Sequence, residues 1–184
     1  GKYPARTKSP GPGSQLKSSE YTIAEALKDN GYSTFIAGKW HLSRGNSGSS
    51  PEEQGFDQNY GGGDSGVPKS YFYPYNIQTR GRGNENAPDI TKLPVVEKGY
   101  HLTDQLTDLT LDWIDRNYVS KKSKKPFFIY LSHYEVHTPF EGKLDLEEKY
   151  KAKYFDDMDK YAFEELVAEL GSCFIASHLN ITSK

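Results

Sequence analysis

Apolar residues along this chain lie either at helical spacing or in short continuous runs, and the two patterns predict different elements. Between Thr22 and Gly31 the apolar residues have helical spacing, and Thr22 with Glu25 three positions later forms a capping box. We therefore expect a first helix that ends at Gly31. Residues 32–37, which end in the apolar run Phe35-Ile36-Ala37, are predicted to form a strand. The apolar face of the helix is predicted to contain Ile23, Ala26 and Leu27.

A second helix and a second strand are predicted in the later half of the sequence. The helix begins at Thr103 or Asp104 and ends near Asn117, and the basic run 121–125 is interpreted as a solvated connection rather than a nucleic-acid patch. The run 127–132 is apolar without alternation, which is typical of a buried parallel strand. Strand, helix and strand in this order imply a right-handed crossover. The apolar face of this helix is predicted to contain Leu102, Leu106, Leu109, Trp113 and Ile114.

Polar segments surround and interrupt these elements. We interpret residues 1–19 as an irregular lead-in, 20–155 as the main folded unit and 156–184 as a helical segment of uncertain origin. Within the main unit, the stretch 42–93 is rich in glycine and polar residues with interleaved aromatics, and so long a loop is unusual unless it is functional. Two interpretations stay open: the stretch recognises a sugar or aryl group, or it is a surface insertion packed by its own tyrosines.

Composition and charge exclude several classes of function. The chain has 184 residues and a net charge of −2, which suffices for one domain and gives no overall field for nucleic acid or an anionic membrane. No apolar run approaches the roughly 20 residues that span a bilayer, and the first residues lack the pattern of a signal peptide. The single cysteine, Cys173, excludes an internal disulfide. We therefore expect no membrane span and no nucleic-acid partner.

Candidate chemistry is concentrated directly after the first predicted strand, in Gly38-Lys39-Trp40-His41-Leu42. Lys39 and His41 leave the sheet on the same side if the strand continues, because strand side chains alternate. Ligands of open α/β sheets bind at the carboxyl ends of the strands. A fixed positive charge and an imidazole that titrates near neutral pH suit an anionic group whose ester bond is to be broken. The alternative is a surface lysine beside a histidine that packs on Trp40.

The second strand ends in His133 and His137, which are spaced four residues apart. On a helix this spacing would let both histidines bind one metal ion. However, Pro139 disfavours helix at the residue before it. We therefore interpret His137 as a loop side chain at the same edge of the sheet as Lys39 and His41.

Three motifs in this order resemble the type I sulfatases of the alkaline phosphatase superfamily. Segments within 22–42, ending in Gly-Lys-Trp-His-Leu, resemble that family's helix, strand and loop, and 54–61 resembles the Gly-Phe-Asp segment after it. The run 126–132 with the His-Thr-Pro of 137–139 resembles a later strand and loop. The likeness covers about residues 1–155. It implies an α/β fold, part of an alkaline-phosphatase-like sandwich with a mainly parallel sheet flanked by helices.

The resemblance also implies the hydrolysis of sulfate esters and assigns residues to it. Lys39 would contact the sulfate and a formylglycine nucleophile, His41 would hydrogen-bond the formylglycine, and His137 would donate a proton to the leaving group. Asp57 and Tyr60 would bind substrate together with Lys39 and His137. The substrate would be a sulfated carbohydrate or an aryl sulfate, with Ca²⁺ or Mg²⁺ offsetting its charge. The protein would be secreted, periplasmic or lysosomal.

Departures from the family pattern limit this expectation. The nucleophile motif is Cys or Ser, any residue, Pro or Ala, any residue, Arg; it is absent, and Cys173 does not fit it. The paired aspartates and the Asp-Asn pair that bind the family's metal are absent too, and the acids of 156–159 are interpreted as favouring a helix N-terminus. The run 161–171 is similar to a helix of zincin-like antirestriction proteins, but without His-Glu-x-x-His we interpret Glu165 as solvated.

We therefore expect that neither the formylglycine nor the metal ligands lie in this chain, and that the chain alone does not hydrolyse sulfate esters. Two other functions remain as alternatives. One is a non-catalytic module that binds an anion or a sugar. The other is a phosphate or phosphonate ester hydrolase of the same superfamily, against which Gly-Lys-Trp-His argues.

Overall fold

A computed structural model describes residues 15–44, 48–77 and 86–154, with side chains up to residue 150. Most of the predicted lead-in 1–19, and all of the predicted segment 156–184, lie outside the described residues. In chain order the elements are α1 (Ile23–Asp29), β1 (Ser33–Gly38), β2 (Gln58–Tyr60), α2 (Leu102–Ile114), which continues as a π-helix over Asp115–Ser120, β3 (Phe127–Ser132) and α3 (Leu144–Tyr154).

The three strands form one parallel sheet in the order β2-β1-β3. Gly38 at the end of β1 lies opposite Ser132 at the end of β3, and Ala37 lies opposite Tyr60 at the end of β2. The carboxyl ends of all three strands therefore meet at one edge, which is where open α/β sheets bind ligands. Both α1 and α2 contact β1. The predicted α/β fold, with a parallel sheet flanked by helices, is confirmed.

The first helix begins as the capping box predicts. The Thr22 hydroxyl accepts from the Glu25 N–H (3.2 Å), and the Thr22 N–H donates to the Glu25 carboxylate (2.7 Å). Gly31 follows the helix with φ +85°. The predicted apolar face is wrong, however, since Ile23 is 66% exposed and Ala24 is the buried residue. The helix is only seven residues long, and Ala24 is the residue that joins the cluster under the sheet.

The main core contains aromatic residues from the long loop as well as residues of β1 and α2. The ring of Phe35 packs on that of Trp113 with centroids 4.9 Å apart. Tyr71 and Tyr75 are buried in the same cluster, so 42–93 is not simply a surface insertion. Hydrophobic residues make up only 35% of the chain, and loop tyrosines supply part of the missing core area. The cluster comprises Phe35, Ala37, Tyr71, Tyr75, Ile90, Leu102, Leu106 and Tyr134.

The later elements differ from their predictions in two respects. The predicted burial of β3 is wrong, since Phe127 and Tyr130 are 42% and 44% exposed. Within the described part of the chain β3 pairs only with β1, so it forms an edge of the sheet. In addition, α3 lies in a charged stretch where no apolar stripe predicts a helix. No helix among the described residues is long and apolar enough to cross a membrane.

Candidate functional site

The site begins at Gly38, where β1 and β3 end side by side. Gly38 has φ +106°, and a Cβ atom there would lie 1.9 Å from the carbonyl oxygen of Ser132. The Lys39 N–H donates to that carbonyl (2.7 Å), and the Ser132 hydroxyl donates to the Lys39 carbonyl (2.7 Å). Only glycine permits this approach at positive φ. Lys39 therefore leaves the sheet at a position fixed against the end of β3.

His41 has φ +55°, a backbone conformation that residues other than glycine rarely adopt. Its N–H donates to the carbonyl of Gly63 (3.0 Å), and a Cβ atom at Gly66 would lie 2.4 Å from the imidazole Cε1. The glycine-rich part of the long loop thus lies directly against His41. Strand alternation does not determine the directions of the Lys39 and His41 side chains, because β1 ends at Gly38, before both residues. The Trp40 ring packs in the cluster beneath α1.

His137 lies in the loop between β3 and α3, at the same edge of the sheet. Its N–H donates to the Tyr134 carbonyl (3.0 Å), and the Tyr71 hydroxyl donates to the His137 carbonyl (3.0 Å). The Tyr134 hydroxyl donates in turn to the carbonyl of Gly61 (2.9 Å). Burial raises the pKa of Tyr71 and of Tyr134, so both phenols stay protonated donors at neutral pH. The backbone of His137 is therefore held while its imidazole stays exposed.

Lys39 and His137 line one open depression of about 420 Å³. His41 is not among the lining residues, but it is near enough for the positive charges of Lys39 and His137 to lower the pKa of its imidazole, after the larger effect of burial. The structure thus brings together the three residues predicted to be catalytic. His133 also lines the depression, but no helix joins it to His137, so the two do not form the i, i+4 pair of a helical metal site. The depression is lined by Lys39, His133, Tyr134, Glu135, Val136, His137, Thr138 and Phe140.

The electrostatics of this edge favour an anion. Burial lowers the pKa of Lys39. The pKa of His41 is lowered first by burial and then by the positive charges of Lys39, Arg44 and His137, against the opposing effect of Asp64. Groups whose charged forms are disfavoured by burial or by neighbouring cations are stabilised in those forms when a negative group binds beside them. The arrangement can therefore hold an anionic group and supply a proton to it.

Glu135 lines the depression, and its carboxylate is bound by residues at the start of α2. One carboxylate oxygen accepts from the Thr103 hydroxyl (2.7 Å), and the other lies 3.3 Å from Nε2 of His101. Negative charge is favourable at this position, since the first turn of a helix carries a partial positive charge. The interaction fixes the loop two residues before His137.

Asp57 and Tyr60, which the resemblance predicts to bind substrate, lie outside the depression. Asp57 precedes β2 at the amino end of the sheet, whereas the depression lies at the carboxyl end. Its carboxylate pairs with Lys28 (2.9 Å) and accepts from the Thr34 N–H (3.0 Å), so it stabilises the fold. The partly buried ring of Tyr60 packs against the core, on Phe35, with centroids 5.9 Å apart. Neither residue lines the depression.

The sequence did not reveal the residues that support the His137 loop. Glu141 is 3% exposed, and one oxygen of its carboxylate accepts from the Ser70 hydroxyl (2.8 Å) and the Tyr71 N–H (2.7 Å). Tyr71 in turn donates to the backbone of His137. The only sequence signal was the density of tyrosines in the long loop. A lone glutamate seventy positions away carries no pattern that predicts the pairing.

The side chains at this edge do not fit a calcium or magnesium ion. Both ions prefer several oxygen ligands, whereas Lys39, His41 and His137 offer an ammonium and two imidazoles. Over the described ranges, no group of three or more His, Cys, Asp or Glu side chains is arranged to hold a metal. We therefore derive no chemical step of this site from a metal ion.

Comparison with known proteins gives consistent matches. The Sulfatase family profile matches residues 1–179. The chain is 31% identical over 142 residues to an arylsulfatase from Hemicentrotus pulcherrimus, and 29% identical over 132 residues to an N-acetylgalactosamine-6-sulfatase from Canis lupus familiaris. These alignments cover 67% and 65% of this chain but only 23% of each relative. The chain thus spans less than a quarter of the length of these relatives.

A solved structure has a similar fold. It is titled as the crystal structure of Ps i-CgsB in complex with k-i-k-neocarrahexaose, and it matches with a TM-score of 0.56 at 22% sequence identity. The match covers 91% of this chain and 38% of that one.

Proposed function

This chain belongs to the sulfatase family, as the resemblance predicted, and from that premise we propose that its Lys39, His41 and His137 form the sulfate-binding edge of a sulfuric ester hydrolase. One observation carries the proposal. Lys39 and His137 follow two different parallel strands, and both line the same depression. Neighbouring strand ends supply the cations that a sulfate group requires.

Each residue has a role that follows from its chemistry. The ammonium of Lys39 offsets the charge of the sulfate oxygens. Negative charge accumulates on the leaving oxygen as the S–O bond breaks, and the exposed imidazole of His137 donates a proton there. His41 contributes a third donor beside them. In this family the attacking group is a formylglycine, and its precursor motif does not occur in the sequence.

The substrate that we propose is a sulfated carbohydrate, with an aryl sulfate as the alternative. The support comes from the printed names of similar proteins, which include an N-acetylgalactosamine-6-sulfatase and a protein solved with a neocarrahexaose. Sulfatases are generally metal-dependent. We propose Ca²⁺ or Mg²⁺ as the ion, held by residues other than those of this edge, and a secreted, periplasmic or lysosomal location.

We predict that the purified chain will not release 4-nitrophenol from 4-nitrophenyl sulfate. Lys39 and His137 can bind and protonate an ester, but no residue of this sequence lies in a nucleophile motif. The measurement is absorbance of the product over hours at high protein concentration. Steady turnover that scales with the chain's concentration would show that these 184 residues do contain a nucleophile.

Anion binding tests the proposal independently of turnover. Isothermal titration with inorganic sulfate should show binding to the wild-type chain and at least about tenfold weaker binding to the double variant Lys39→Ala, His137→Ala. Lys28→Ala is the matched control, because Lys28 is a surface lysine at the amino end of the sheet, where it pairs with Asp57. Equal heats for the wild type and the double variant would show that this edge is not the site.

Binding of sulfate should also take up protons. Burial, and after it the charges of neighbouring cations, hold the pKa of His41 below its ordinary value, and a bound anion raises that pKa. Affinity for sulfate should therefore increase as the pH is lowered from about 7.5 to about 5.5, through the titration range of histidine. Titrations in two buffers with different ionisation enthalpies measure the proton uptake.

The variant His41→Asn should reduce this uptake, because asparagine does not titrate and tolerates the positive φ of this position. Identical proton uptake in His41→Asn and the wild type would exclude His41 as the coupled group.

A further inference from the structure

Phe140 presents a large apolar ring at the wall of the depression. Its side chain is 58% exposed, and it lines the same depression as Lys39 and His137. Isolated exposed apolar residues are common, so the position matters more than the exposure: this ring lies three residues from the proposed proton donor.

The exposure of Phe140 does not come from a loose loop. Pro139 before it and Glu141 after it are both buried. The Glu141 carboxylate accepts from the Ser70 hydroxyl (2.8 Å) and the Tyr71 N–H (2.7 Å). The fold therefore anchors the backbone on both sides of Phe140 and leaves its ring uncovered.

The depression is larger than an anionic group alone would fill. Its volume of about 420 Å³ lies within the roughly 300–1,000 Å³ of small-molecule sites. A tetrahedral anion held by Lys39 and His137 fills a small part of that space. Small-molecule sites combine a few polar groups with apolar and aromatic walls. Here the wall is formed by the side chains of Phe140 and Val136 and by the buried Tyr134.

We propose that Phe140 is the platform for the sugar ring that carries the sulfate. The C–H face of the pyranose packs on the exposed aromatic face while the sulfate lies between Lys39 and His137. Phe140 then acts as a specificity residue: it binds the ring of the ester and contributes nothing to the anion itself. This inference rests on the proposed function, because the sulfate must occupy the depression for the ring to reach Phe140.

The test compares two ligands by isothermal titration of the whole chain: inorganic sulfate and N-acetylgalactosamine 6-sulfate. Phe140→Ala should weaken binding of the sulfated sugar about tenfold and leave sulfate binding unchanged. Phe140→Trp should keep the affinity for the sugar, because the aromatic face is retained. Phe127→Ala is the matched control, since Phe127 is also an exposed phenylalanine but lies at the amino end of β3. Circular dichroism verifies that each variant is folded.

The possible failures are distinguishable. If the wild type binds neither ligand, the proposed function and this inference both fail. If sulfate binds but the sugar sulfate binds no more tightly, or if Phe140→Ala weakens both ligands equally, only the platform role of Phe140 is overturned. Unchanged binding of the sugar to Phe140→Ala would overturn it in the same way. Titration with 4-nitrophenyl sulfate then shows whether an aryl ring takes the sugar's place.

Discussion

Replacing Gly38 by alanine should lower the free energy of unfolding by about 3 kcal/mol or more. The new Cβ atom would lie 1.9 Å from the Ser132 carbonyl oxygen, and the residue would have to keep φ +106°. The ends of β1 and β3 would have to separate, which breaks the hydrogen bond from Lys39 to Ser132. Urea unfolding followed by tryptophan fluorescence measures the loss.

Gly31→Ala is the control for this prediction. Gly31 has a similar positive φ, +85°, but a Cβ atom there meets nothing within 4 Å. It should cost only the roughly 1–2 kcal/mol of left-handed strain. The difference between the two variants isolates the close approach of the strands. Equal losses would mean that Gly38 is needed for its φ alone and that the two strand ends are not tightly joined.

Replacing Glu141 by leucine should cost about 3 kcal/mol, because the Ser70 hydroxyl and the buried Tyr71 N–H would both lose the carboxylate oxygen that accepts from them. Glu141→Gln should cost about 1 kcal/mol or less. Both donors bind the same carboxylate oxygen, and an amide oxygen can take that place. The other carboxylate oxygen has no hydrogen-bond partner among the described residues.

The Glu141 pair of variants also reports on the site. Tyr71 holds the backbone of His137, so Glu141→Leu should weaken sulfate binding, whereas Glu141→Gln should retain it. Thermal unfolding and sulfate titration of the same preparations give both quantities. A glutamine variant as unstable as the leucine variant would show that the negative charge, rather than the two acceptor contacts, is what the fold requires.

The parts of the fold that depend on neighbouring residues could be predicted from the sequence. The capping box of Thr22 and Glu25 predicts that α1 begins directly after Thr22, and the helical spacing of apolar residues predicts α2. β2 could not be predicted, because its three residues take their conformation from pairing with β1. α3 was missed because its charged residues form no apolar stripe.

The site likewise contains residues whose positions could be predicted from the sequence and residues whose positions could not. Lys39 and His137 could be predicted, because residues that follow parallel strands meet at one edge of the sheet. Asp57 could not be placed, since only the register of β2 shows that it lies at the opposite end. The bond from Tyr71 to His137 joins residues 66 positions apart, and the sequence carries no local sign of it.

The most direct test of the account is to follow the histidine imidazoles by NMR while sulfate is added. The chain has five histidines. His41 and His137 should shift together in a saturable manner, because both lie beside Lys39 at the proposed anion site. His101, which is buried against Tyr71 and Glu135, should stay unchanged. Saturable shifts of His41 and His137 that are lost in Lys39→Ala would support the account; no shift of either, or equal shifts at His101, would contradict it.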